Sequence, residues 1–156
     1  MLFHSSVFLF IFLPTVFCLF FLTNKYTNID SKLVLILSGL IFYGWGDVYL
    51  TPLIIISILF NFYLSKFLIN KSYPSKKGIL LSTITLNILF LIILKYLDFL
   101  ILNINFIFNI NLDFINLPFP LAISFVTFQT IAYLVDCYDG NIKKNNILEY
   151  SLFIIF

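Results

Sequence analysis

The chain has 156 residues, of which 62% are hydrophobic and only 10% charged, with a mean hydropathy of +1.08. A soluble domain of this length needs far more charge to cover its surface, so a water-soluble globule is excluded and an integral membrane protein is expected. A net charge of +2, with nine basic residues that are all lysine, leaves no guanidinium fork and no basic footprint for nucleic acid.

In chain order, the first apolar segment runs from Leu2 to Leu22. No Lys or Arg precedes it, and Thr23, Asn24 and Lys25 follow it where a cleavage site would need small residues. It is therefore expected to be a retained helix and not a signal peptide, kinked at Pro14. The second segment, Leu33 to Tyr43, is short for a ~30 Å hydrocarbon core and stops at the Gly44-Trp45-Gly46 turn. The third opens with Thr51 as N-cap and Pro52 at the first helical position and continues to Ile69. The fourth spans Ile79 to Leu94 and the fifth Pro120 to Val135. Between Lys95 and Leu117, Asn103, Asn105, Asn109 and Asn111 alternate with Ile and Phe. That text is too polar to span and too apolar for water, so it is expected at the outer interface or packed on the bundle. Ile147 to Phe156 begins a sixth apolar segment. Ten residues cannot cross a bilayer, and the chain is expected to be the N-terminal part of a larger protein. No repeat or linker divides it, so one domain, 1–156, is drawn: an all-α polytopic bundle of five spans and the start of a sixth.

Lysine placement orients the spans. Lys25, Lys32, Lys66, Lys71, Lys76, Lys77, Lys143 and Lys144 fall in loops on one side, and Lys95 alone falls on the other. The positive-inside rule then puts the N-terminus outside. A re-entrant second segment would destroy that asymmetry, so a spanning helix in a locally thinned bilayer is expected.

Polar residues inside the segments carry the functional information. Gln129, Tyr133 and Asp136 recur at i, i+4 and i+7 along one face of the fifth segment, with Ser124 and Thr127 beside them. An unpaired amide in hydrocarbon is expensive, so these five residues either line a substrate path or bond to neighbouring helices. Ser57, Asn61 and Ser65 on the third segment and Thr83 with Asn87 on the fourth are expected to join helices together. Lys95 and Asp98 read as a surface ion pair at i, i+3. His4, the one histidine, is expected at the outer membrane edge. Cys18 and Cys137 sit in or beside different segments, read as buried small hydrophobes, and offer neither a disulfide framework nor metal-ligand spacing. No Ser-His-Asp set, phosphate loop, CxxC or HExxH is present. Read this way, a transporter or channel subunit with midplane polar residues stays open beside an enzyme.

Particular stretches narrow that choice. Leu117 to Gly140 (LPFPLAISFVTFQTIAYLVDCYDG), the Ile41-Phe42-Tyr43-Gly44-Trp45-Gly46 turn, Lys95-Tyr96-Leu97-Asp98-Phe99 and the opening MLFHSSVFLFIFLP resemble bacterial membrane-bound O-acyltransferases of the alginate O-acetyltransferase-like branch. Ala122 stands where that family usually has glycine. The resemblance implies a bundle of many helices around a central funnel in the bacterial inner membrane. An acetyl group from a cytoplasmic donor, acetyl-CoA or similar, would pass through it to an exported polysaccharide, alginate-like or peptidoglycan. No bound cofactor is implied. The implied partners are the lipid bilayer, the remaining C-terminal part of the same protein and a periplasmic acetyltransferase. The family's catalytic histidine lies in its second half and has no counterpart here, so the 156 residues alone are expected to be inactive.

Overall fold

A computed structural model describes residues 5–26, 30–46, 48, 51–70, 75–114 and 123–155. Among them the regular elements are all helical, as the composition requires. They are α1 (Leu13–Tyr26), entered through a π-helical turn at Phe8–Phe12, then α2 (Ser31–Gly46), α3 (Thr51–Ile69), α4 (Lys76–Phe108), α5 (Ile123–Asp139) and α6 (Ile147–Ile155). Three of them, Phe8–Tyr26, Thr51–Ile69 and Lys76–Phe108, are long and apolar enough to cross a membrane. α2 is a shorter apolar helix, and α5 has 17 residues.

The start of the first helix shows how Pro14 is absorbed. Proline lacks an N–H and its ring clashes with the carbonyl four residues back. Here the turn before it is widened, Leu13 N–H reaching Phe8 O, and the Thr15 hydroxyl donates to Ile11 O at 2.6 Å. A π-turn therefore accompanies the proline.

α2 is longer than the sequence suggested. It runs through Gly44, Trp45 and Gly46, which were expected to break it, so it is 16 residues long, about 24 Å. Two helical glycines weaken a helix by roughly 1 kcal/mol each but do not end one whose apolar side is already packed. The fourth segment departs further. Instead of stopping at Leu94, α4 continues to Phe108, 33 residues or about 50 Å. The asparagines that made this stretch too polar to span are accommodated: Asn103 Nδ2 donates to Phe99 O at 2.7 Å, and Asn109 takes the left-handed conformation (φ 50°) that ends the helix. The returning chain is held by Asn105, whose amide both donates to Leu112 O and accepts from Leu112 N–H, each at 2.9 Å.

The core lies where α3, α5 and α6 meet, with α4 packed on α3 and α5. Ile54, Ile58, Phe62, Val126, Leu134, Tyr150 and Ile154 fill it. The nine-residue α6 is thus seated in the bundle against α2, α3 and α5. Its approach to α2 depends on Gly39, where a Cβ would overlap the side chain of Ile155. α1 packs on α2 alone among the described helices, and none of its residues is buried. Cys137 is buried, whereas Cys18, expected to be buried too, is exposed on α1.

Lysines gather at one end of this bundle. Lys32 Nζ at the start of α2 donates to Glu149 Oε1 at the start of α6, 2.9 Å away. Lys76 Nζ donates to Leu68 O at 2.7 Å, covering a terminal carbonyl of α3. The Glu149 hydrogen bond raises the Lys32 pKa above its usual value, so the stabilisation linked to that shift is present below the ordinary lysine value and is lost as pH rises through the raised one.

Candidate functional site

Two polar clusters are built into the helix interfaces. In the first, Asn61 of α3 faces Asn87 of α4. Asn61 Nδ2 donates to Asn87 Oδ1 at 3.1 Å, and Asn87 Nδ2 donates back to Asn61 Oδ1 at 2.7 Å. Each second amide hydrogen is satisfied by its own helix, at Ser57 O (2.9 Å) and Thr83 O (2.9 Å). Both residues are buried. Reciprocal amides of this kind fix the register of two helices without leaving a polar atom in hydrocarbon. The expected joining of helices holds for Asn61 and Asn87, whereas Ser57 and Thr83 bond within their own helices.

The second cluster brings together α3, α5 and the loop before α6. Tyr133 Oη donates to Asn145 Oδ1 at 2.8 Å, and Asn145 Nδ2 donates to Ser65 Oγ at 2.6 Å and to Phe62 O at 3.2 Å. Ser65 Oγ in turn donates to Phe62 O at 2.7 Å. Tyr133 also packs its ring on Tyr150 with 4.4 Å between centroids. Asn145 was missed by sequence reading, because KKNN between two apolar segments looks like any solvated loop and its partners Ser65 and Phe62 lie 80 and 83 residues away.

The five residues expected on the polar face of α5 are dispersed among several environments. Thr127 is buried and donates to Ile123 O, one turn back in its own helix, at 2.9 Å. Tyr133 is in the second cluster. Ser124 is half-buried. Asp136 is exposed at the helix end, where its carboxylate accepts from Asn141 Nδ2 at 3.0 Å. Its carbonyl accepts from Asn141 N–H at 3.0 Å, closing a C-terminal turn that requires the positive φ of Gly140 (82°). Gln129 differs from the other four. Its side-chain oxygen is buried, with no hydrogen-bond partner among the described residues. His4, Asp47, Pro118, Pro120 and Ala122 lie outside the described residues, and no group of three or more His, Cys, Asp or Glu that could hold a metal is found among those described.

A polytopic bundle with this polar α5 has named relatives. The chain is 36% identical over 153 residues to the peptidoglycan O-acetyltransferase of Helicobacter pylori, an alignment covering 96% of this chain and 28% of that protein. It is 30% identical over 163 residues to the probable alginate O-acetylase AlgI of Pseudomonas syringae pv. tomato, covering 99% of this chain and 30% of that protein. The chain is homologous to the membrane-bound O-acyltransferases. The corresponding AlgI of Pseudomonas aeruginosa is 28% identical over 166 residues, with the same coverage. This chain spans about 30% of the length of the curated O-acetyltransferases it matches. No protein-family profile matches it, and no solved structure matches it.

Proposed function

We propose that the chain forms the N-terminal helices of an O-acetyltransferase that moves acetyl groups across the bacterial inner membrane to an exported polysaccharide, peptidoglycan or alginate-like. Near-complete coverage of this chain by relatives named as O-acetyltransferases carries the reading. In such a transfer the acceptor hydroxyl attacks the acetyl carbonyl of a donor thioester such as acetyl-CoA. A base takes the hydroxyl proton, and the thiol leaves. An imidazole near neutral pKa suits that base, and the sole histidine here, His4, sits at the extreme N-terminus. On this reading the 156 residues do not themselves supply the base.

On this reading the described helices scaffold the reaction. The N-terminus lies outside and the lysine end faces the cytoplasm. Gln129, whose buried oxygen has no partner among the described residues, and the half-buried Ser124 make α5 the helix that faces the acyl path or later helices. Thr127, Tyr133 and Asp136 are held within α5 and by Asn145 and Asn141. A periplasmic acetyltransferase acts as partner on the outer side. Residues 1–156 expressed alone in a host lacking polysaccharide O-acetylation should release no ester-bound acetate on mild alkaline treatment of the cell wall. Acetate release that survives His4→Ala would place the chemistry within this chain and overturn the assignment of roles.

A further inference from the structure

Between α1, its π-turn and α2 lies a cavity of about 470 Å³ that none of the polar clusters touches, with Ile155 of α6 at its margin. Its walls extend along the first helix from Phe8 to Phe21, which at 1.5 Å per residue is about 20 Å. The groove is open along one side, and a file of hydrocarbon carbons at contact distances of ~4 Å fits along it. An extended peptide would strand its backbone N–H and C=O groups there, since the Ser38 hydroxyl in the wall already donates to Val34 O at 2.6 Å. A hydrocarbon chain has no such groups to strand.

The two ends differ. Away from the lysines, Phe8 and Phe12 of the π-turn pack on Phe42 with centroids 5.3 and 6.0 Å apart. At the lysine end the walls are Phe20, Phe21 and Leu35, within one to two turns of Lys25 and Lys32. We infer that this groove holds one acyl chain of an anionic phospholipid from the leaflet at the lysine end. The chain lies between α1 and α2, and the phosphate lies beside Lys25. The π-turn at Pro14 has a use in this arrangement: it presents Phe8 and Phe12 together as the apolar end of the groove.

The test is photolabelling of the full chain reconstituted in bilayers with trace phosphatidylglycerol carrying a mid-chain diazirine. Adducts should concentrate on peptides containing Val16–Phe21 and Leu35–Phe42. They should be sparse on the equally exposed apolar surfaces of α3 and α4, such as Phe60 and Phe106. Val16→Trp, which fills the groove, should remove the α2 adducts, while Leu19→Trp on the exposed side of α1 should leave them. Lys25→Glu should lower labelling by the anionic probe at least about five-fold, from ~1 kcal/mol for each basic residue near an anionic surface, without changing labelling by a phosphatidylcholine probe. Adducts spread evenly over all exposed apolar residues would show ordinary boundary lipid and overturn the inference. So would equal labelling of the groove by both probes, or photo-crosslinking of the groove peptides to a second copy of the chain.

Discussion

Asn61 and Asn87 are the side chains on which the α3–α4 interface turns. Each amide is fully used, so replacing one strands the other in an apolar interior. Asn87→Leu should lower stability by roughly 0.6–2 kcal/mol, the range of interhelical hydrogen bonds in membranes. Asn61→Leu with Asn87→Leu should recover part of that loss, because no orphan remains. Equilibrium unfolding in mixed micelles checks this, and a double variant weaker than the sum of the singles would contradict it. These residues were legible in the sequence, since a polar repeat at i+4 in an apolar helix has few uses. Asn145 was not, because its value comes from Ser65 and Phe62, which the fold alone brings near.

At the scale of elements, α2 and α6 meet through an absence. Gly39 has no side chain, and Ile155 occupies the space one would fill. Gly39→Leu should push α6 away and cost about 1–3 kcal/mol, as overpacking usually does. Ile155→Ala in the same chain should restore much of the loss, and measured stabilities that simply add would show the two helices to be independent. Sequence reading placed α3 at its observed limits, because Thr51-Pro52 is punctuation with a local physical cause, but ended the fifth segment at Val135, four residues before the Asp139 that closes α5. It shortened α2 at the Gly44-Trp45-Gly46 turn and α4 where the asparagines made the text too polar to span. Gly44, Gly46, Asn103 and Asn105 are poor helix residues by propensity, yet tertiary packing and the Asn105–Leu112 bonds override that preference. Gly39 carried no signal in the sequence, its partner being more than a hundred residues away.

For the whole molecule, the shared lysine end makes a topological prediction. The ion pair Lys32–Glu149 and the Asn145–Ser65 contact place the starts of α2 and α6 beside the end of α3. If that end is cytoplasmic, a periplasm-active reporter fused after Gly46 gives signal and one fused after Lys77 does not. The reverse pattern would invert the bundle, and equal signal at both sites would mean that α2 or α3 fails to cross.

The central claim is that these helices do the work of the corresponding part of an O-acetyltransferase. It is tested most directly by exchanging the matching 153-residue region of the Helicobacter pylori peptidoglycan O-acetyltransferase for this chain and measuring ester-linked acetate on purified peptidoglycan. The chimera should O-acetylate the wall, and Gln129→Leu within it should reduce the acetate. A chimera that accumulates in the membrane at the parent's level yet leaves the wall unacetylated would contradict the account.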